Sequence, residues 1–324
     1  MISDPMQLVS LVDELTTATW TLAAVGTLFE SGLADAMGEP RTLDELAARV
    51  TALPRERIER CLAVAESRGL VANDGSHYTL APGAAPFARP PARTDLLGEI
   101  RSVMMQSLAY VDASTHDSPS RGWYHTNPRL LQAQGDSSVG FAGVLRERLA
   151  ARLGLDERLA QPSARFLDVG VGVGALSIAM CRAFPAVRAV GLDVFDVPLA
   201  IARENVVRAE LVDRVELRQL AVEDLRDEAA YDLAWLPACF LPPSSLQSAL
   251  ARIHAALRPG GWVLMPTLAS GAPDQTRRIW SMVLEQWGSV TESDATRQAV
   301  DDAGFAEALV LPGPGWVALV AGRK

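Results

Sequence analysis

Between Arg165 and Met180 the chain places an aspartate, Asp168, ahead of three alternating glycines, Gly170, Gly172 and Gly174. A second aspartate, Asp193, follows about 20 residues after the turn, the distance at which a ribose-binding acid is found. Phe166 and Leu167 begin a short apolar run of the kind that forms a buried strand, and Leu176, Ala179 and Met180 then repeat at helical intervals. The stretch therefore reads as strand, glycine turn and helix start. Glycines let the backbone turn tightly, take positive φ and approach a ligand with no Cβ in the way, and the helix N-terminus adds free N–H groups. Two ligand classes fit. Gly170, Gly172 and Ala175 satisfy the G-x-G-x-x-G/A dinucleotide fingerprint, with Asp193 as the ribose acid. Asp168 weighs against a pyrophosphate, because a carboxylate beside the turn repels an anion and stabilises a ligand that carries an ammonium and a sulfonium.

S-adenosyl-L-methionine is such a ligand and is favoured over NAD. The run Phe166-Leu167-Asp168-Val169-Gly170-Val171-Gly172-Val173-Gly174 resembles the first motif of class I S-adenosylmethionine-dependent methyltransferases. The likeness continues through Val190-Gly191-Leu192-Asp193, through Tyr231 to Pro237, through Leu257-Arg258-Pro259-Gly260-Gly261-Trp262, and through the segment from Gly304-Phe305 to Gly322. The resemblance implies S-adenosyl-L-methionine as cofactor, S-adenosyl-L-homocysteine as product, and methyl transfer to a small, largely hydrophobic acceptor in secondary metabolism. Oxygen is the first choice of acceptor atom, with carbon and nitrogen as alternatives. Asp193 would accept hydrogen bonds from the vicinal ribose hydroxyls with both oxygens. Val194 and Phe195 would offer an apolar face to adenine. Ala221 and Val222, after the third strand of the sheet, and Leu236 and Pro237, after the fourth, complete the expected cofactor site. The family often has an acid after the third strand that contacts the adenine amino group; Ala221 stands there, so either backbone groups or Glu223 or Asp224 take that contact. Two other readings stay open: an NAD-dependent oxidoreductase, and a cofactor-binding protein of the same fold that transfers no methyl group.

These residues need a sheet to position them. From residue 165 onward apolar strands alternate with amphipathic helices, which predicts a doubly wound α/β domain with seven strands near 165–169, 188–193, 214–219, 231–236, 261–266, 305–311 and 315–321. Helices are expected near 173–184, 197–210, 244–257, 274–287 and 293–303. Pro312-Gly313-Pro314-Gly315 is too short for a crossover helix, so the last two strands should be antiparallel neighbours. Residues 7–36 carry apolar residues at helical spacing and read as two helices. Thr42 and Glu45 look like a capping box, Pro54 opens a further helix, and Asn73-Asp74-Gly75 marks a hairpin. The expected organisation is a mostly helical winged-helix domain at 1–92, a helical connector at 93–160 contributing to the acceptor pocket, and a Rossmann-like cofactor domain at 161–324. In the resembling family the winged helix serves dimerisation, so a homodimer is expected.

Composition narrows the classes. With 324 residues and 49% hydrophobic content the chain can bury one large core or two smaller ones. The net charge of −9 disfavours nucleic acid, and within residues 1–90 twelve acidic residues face seven arginines, so the winged helix lacks a basic reading face. The three cysteines, Cys61, Cys181 and Cys239, show neither a disulfide framework nor metal-ligand spacing, and no metal is expected. No basic leader is present and no apolar run approaches the roughly 18 residues of a membrane span, so a cytoplasmic enzyme with no membrane partner is expected.

The acceptor side is less defined. In the plant-like O-methyltransferases a His-Asp pair follows the fourth strand as general base, whereas here Leu241-Pro242 occupies that place. His254 is expected to face away from the site. His116 and His125 remain as imidazole bases, and His125 is the better candidate because it follows Trp123 and Tyr124 in the connector. Trp123, Tyr124, Phe141, Phe240 and Trp280, together with Trp287 and Trp316, are the candidate lining of a hydrophobic acceptor pocket.

Overall fold

The computed structural model describes residues 2–113, 122–313 and 315–324, and forms two compact units, Met1–Ser107 and Leu108–Lys324. His116 lies outside the described residues.

The first unit begins with α1 (Pro5–Glu30), capped by Asp4, whose carboxylate accepts the Met6 N–H at 2.9 Å. The two helices expected over 7–36 are thus one long helix followed by the single turn α2 (Leu33–Ala36). The helix ends only at the Ser31 cap, followed by Gly32 at φ +84°. Next come α3 (Leu43–Arg49), α4 (Arg55–Ser67), the antiparallel pair β1 (Val71–Asn73) and β2 (Tyr78–Leu80), and α5 (Ala92–Ala113). The capping box is present: Glu45 N–H donates to Thr42 Oγ1 at 3.2 Å and Thr42 N–H donates to Glu45 Oε2 at 2.8 Å. Leu28, Phe29, Leu33, Met37, Leu46, Ile58, Leu62, Val71 and Leu80 form the core.

Most of α1 lies outside that core. Leu8, Val12 and Leu15 are each more than half exposed, and Trp20 is 73% exposed. With 26 residues and a mean hydropathy of 1.2, α1 is long and apolar enough to cross a membrane by length and composition alone. That corrects the expectation that no segment reaches this threshold. The reason is local: Asp13 and Glu14 interrupt the apolar run, but most of the helix beyond them is apolar or uncharged threonine, and Thr19, Thr21 and Thr27 return their hydroxyls to carbonyls one turn back.

The second unit contains α6 (Pro128–Asp136), α7 (Gly140–Val144), α8 (Asp156–Leu159), β3 (Arg165–Val169), α9 (Ala175–Ala183), β4 (Arg188–Asp193), α10 (Asp196–Arg208), β5 (Val215–Gln219) and β6 (Tyr231–Trp235). It continues through α11 (Leu246–Ala256), β7 (Leu257–Leu268), α12 (Asp274–Trp287), α13 (Ser293–Asp302), β8 (Glu307–Pro312) and β9 (Val317–Arg323). The sheet order is β5-β4-β3-β6-β7-β9-β8. Strands β3 to β7 are parallel, and β9 runs antiparallel between β7 and β8. Alternate residues of each strand enter opposite layers: Phe166 and Leu233 pack with Leu176 and Met180 of α9, while Leu167 and Ala234 pack with Leu250 and Ile253 of α11. Strand β7 begins four residues earlier than expected, because Leu257 already pairs with Tyr231 before the register shifts.

Candidate functional site

The site lies where β3 and β6 end and the chain reverses into helices, the carboxyl edge at which open α/β sheets bind ligands. Leaving β3, the backbone takes φ +69°, +54° and +77° at Gly170, Gly172 and Gly174, conformations that cost a side-chain-bearing residue about 1–2 kcal/mol each. The valines between them point inward, Val171 being 6% and Val173 1% exposed, and anchor the turn in the core. Space above Gly170 is open; a Cβ there would meet Pro237 Cγ at 3.9 Å and nothing closer.

Asp193 closes the turn. Gly172 N–H donates to its Oδ2 at 2.9 Å and Phe195 N–H donates to its Oδ1 at 3.0 Å. Each oxygen keeps a further lone pair, so the carboxylate can still accept two hydroxyl hydrogen bonds. Burial raises its pKa, and the backbone N–H groups of Phe195, Gly172 and Val194 oppose that rise. Beside it Val194 is 51% and Phe195 37% exposed, an apolar rim next to a carboxylate. Leu220 N–H bonds the Asp193 carbonyl at 2.9 Å, which brings the end of β5 and Ala221 to the same edge. The Val222 and Leu236 side chains are packed in the layer behind the strands, so only their main chain can face a ligand. Pro237 borders the turn, its Cγ 3.9 Å from where a Cβ on Gly170 would stand.

Asp168 is 2% exposed and accepts a hydrogen bond from Ser177 Oγ at 2.6 Å. Burial pushes its pKa up to about 7, with Ser177 opposing and the Asp193 carboxylate adding to the rise.

The aromatic residues fall into separate groups. Trp123 packs against the small cluster of Leu131, Val173 and Ala175 beside the glycine turn, and its ring centroid lies 5.0 Å from Phe240, 6.0 Å from Trp287 and 4.6 Å from His125. Phe240 stacks on Trp287 at 4.9 Å and Trp280 on Trp316 at 3.8 Å, all four around Cys239, Leu268 and Leu284. Trp123, Phe240 and Trp280 are thus brought to one region. Phe141 is elsewhere, 4.3 Å from Trp235 at the end of β6. Tyr124 is 57% exposed and pairs with Phe195 at 6.1 Å, on the Asp193 side of the cleft. His125 is half-buried, and burial lowers its pKa, which favours neutral imidazole. The Cys239 thiol is pushed up to about 12 by burial and is no base near neutrality. His254 packs its ring on Phe305, 4.9 Å away, in the layer of α13.

Sequence reasoning missed three supports. Ser177 solvates Asp168; a hydroxyl on an otherwise apolar helix face is its only signal. Asn205, 9% exposed, donates to the Val173 carbonyl at 2.9 Å and fixes the turn from α10. Gly191 leaves room for the turn: a Cβ there would lie 2.5 Å from Val171 Cγ2. The last two depend on contacts across the fold and carry no local signature.

Residues 166–261 match the family profile described as "Methyltransferase domain". The chain is 29% identical over 164 residues to the release factor glutamine methyltransferase of Cereibacter sphaeroides, a stretch covering 49% of this chain and 58% of that one. It spans about half the length of several curated relatives that it matches. Among solved structures it is similar to the pyocyanin biosynthetic protein PhzM, with TM-score 0.68 and 20% identity over 98% of this chain and 99% of that one. It is also similar to an O-methyltransferase family protein from Burkholderia thailandensis, with TM-score 0.59 and 16% identity over 100% and 99% of the two chains. At these identities the structures speak for the fold, and the profile spans the glycine turn, Asp193 and the end of β6: the second unit has the methyltransferase fold, and residues 166–261 within it match the methyltransferase-domain profile.

Proposed function

We propose that the chain is an S-adenosyl-L-methionine-dependent methyltransferase acting on a small, largely hydrophobic acceptor in secondary metabolism, oxygen being the first choice of nucleophile. The observation that carries this reading is the glycine turn itself, with the Gly172 N–H closed onto Asp193 and the Asp168 carboxyl buried close by. A pyrophosphate finds two acidic side chains there and, among the described residues, no cation; a donor with an ammonium and a sulfonium can draw its counter-charge from them. When bound, the donor supplies a methyl group, and the electron pair of the breaking C–S bond stays on sulfur. The chain's residues hold the reactants: Asp193 takes the ribose hydroxyls, Val194 and Phe195 border the adenine, and Trp123, Phe240 and Trp287 form an apolar wall that excludes water and orients the acceptor. Such holding in line accounts for much of the rate expected of the reaction. His125 is the proposed acceptor of the nucleophile's proton, from the connector side of the cleft.

The NAD reading disagrees with the antiparallel insertion of β9 and with Asp168. Titration calorimetry with S-adenosylmethionine and with NADH separates the two, and binding of NADH alone overturns the proposal. Incubation with methyl-labelled donor and a panel of phenols, enols, amines and keto acids then identifies the acceptor. One observation favours a second reading: no side chain from Ala238 to Pro242 can take a proton near neutrality. A protein that binds the donor and methylates nothing in the panel is a cofactor-binding protein without transfer.

The same proposal assigns residues 1–92 to dimerisation, 93–160 to a connector lining the acceptor pocket and 161–324 to the cofactor domain, in a cytoplasmic homodimer. The exposed apolar face of α1 supports a second copy as partner, and Arg55, bonded to Asp44 at 2.8 Å, supports a reading in which α4 is no DNA-binding helix.

A further inference from the structure

Two carboxylates are buried in the sheet, and they differ in how their charge is met. Asp232, 3% exposed near the start of β6, accepts from Arg158 Nη1 at 3.1 Å, Arg258 Nη1 at 2.6 Å and the Arg165 N–H at 2.9 Å. Asp168, 2% exposed near the end of β3, has no such cation among the described residues. Its register partners are Gly191 on β4 and Trp235 on β6. From α9 it meets Ser177 and, more distantly, the neutral thiol of Cys181; from the end of β4 it meets only the like-charged Asp193. A buried carboxylate with no counter-charge keeps its proton.

Resting on the methyltransferase reading, we propose that Asp168 gives up a proton in exchange for the positive charge of the incoming donor, with Ser177 as the positioning residue that holds the carboxyl beside the glycine turn. Below about pH 7 the free protein carries mostly the neutral acid, and the complex carries the carboxylate; the proton leaves to solvent, and charge balances because S-adenosylmethionine has a net charge of +1. The product, S-adenosylhomocysteine, has lost the sulfonium charge and drives the exchange less. The sign follows. With the free-state carboxyl titrating near 7, donor affinity is full above that pH and falls as pH drops through it, by about fivefold between pH 7 and pH 6 if the complex titrates well below 6. Product affinity changes by less than about twofold over the same interval.

The test is calorimetric titration of the full chain with S-adenosylmethionine and with S-adenosylhomocysteine, in buffers of different ionisation enthalpy between pH 6 and 9. About half a proton released per donor near pH 7, and almost none at pH 9, is expected. Ser177→Ala removes the bond that favours the ionised form and moves the transition to higher pH, while Ser177→Thr keeps it in place. Asp168→Asn abolishes the release; should that variant not fold, the Ser177 pair still decides. Donor binding without proton release between pH 6 and 8, or coincident transitions in both Ser177 variants, overturns the inference. Release retained in Asp168→Asn assigns the proton to Asp193 and overturns it equally. Failure of the parent protein to bind the donor at all is a different result, and removes the function proposed above instead.

Discussion

Replacing Asp193 by asparagine removes one acceptor and adds a donor where two backbone N–H groups point. The carboxylate accepts Gly172 N–H at 2.9 Å and Phe195 N–H at 3.0 Å, one on each oxygen. The carbonyl of the introduced amide can serve one of them, and its NH₂ faces the other. A buried donor left unpaired costs about 1–3 kcal/mol, and the charged acceptor lost to a ribose hydroxyl is worth about 1.5–3 kcal/mol. The first cost falls mainly on the fold, because Gly172 at φ +54° is held in place by that bond. With about 2–4 °C per kcal/mol for a unit of this size, the melting temperature should drop by several degrees. The second falls on binding, so S-adenosylhomocysteine should bind roughly 10–150-fold more weakly. Scanning calorimetry reads the first effect and titration calorimetry the second. A variant that melts early yet binds within threefold of the parent would make Asp193 a brace of the turn only, and the ribose assignment would fall.

Three further outcomes are expected. Gly191→Ala puts a methyl 2.5 Å from Val171 Cγ2 and 3.1 Å from Leu217 Cδ2; the overpacking should cost about 1–3 kcal/mol and weaken the cofactor by moving the turn. Adding Val171→Ala removes the Cγ2 contact but leaves the Val171 Cβ 2.8 Å away, so it should recover part of the melting temperature and affinity; no recovery at all would mean that the clash is not the cause. Charging α1 with Leu8→Arg and Leu15→Arg should convert a dimer to a monomer in light scattering; a parent that is monomeric at micromolar concentration refutes the dimer, and vesicle binding lost in the double variant assigns the helix to a membrane instead. His125→Gln should lower turnover more than threefold once an acceptor is known, and the parent's rate should fall with acid only below the usual imidazole range, because burial depresses this pKa. A smaller change leaves orientation as the main source of catalysis.

What is legible in the sequence follows from how each signal arises. A strand buried on both faces is a continuous apolar run, so β3 is readable at 165–169, where it forms, and α12 at 274–287 follows from its strong periodicity. The antiparallel final pair follows from the length of its connection. Segment 7–36 reads as two helices from its apolar spacing, but one helix runs through to Glu30, past Gly26: Ile100 Cγ2 lies 3.4 Å from where a Cβ would stand, and the glycine admits that neighbour without ending the helix. Ring pairs leave no such trace. Adjacency predicts Tyr124 beside Trp123 at the acceptor, yet adjacent side chains in an extended segment point apart, and Tyr124 meets Phe195 while Trp123 meets Phe240.

That divergence bears on where a proton can go. Trp123 packs on the cluster of Leu131, Val173 and Ala175 beside the glycine turn, on Phe240 in the segment after β6, and on His125 beside it. The segment before α6 therefore carries one imidazole to the edge of an aromatic group, while the residues just after β6 offer none. Burial keeps that imidazole neutral at physiological pH, ready to accept a proton, and by the same shift makes it a weaker base. A weaker base suits an acidic hydroxyl such as an enol or a phenol; an ordinary alcohol, whose pKa is far above neutrality, is beyond it. Across an acceptor series the rate should therefore fall as hydroxyl pKa rises, more steeply in His125→Gln than in the parent. Equal slopes in the two proteins would place deprotonation in solvent before the acceptor binds.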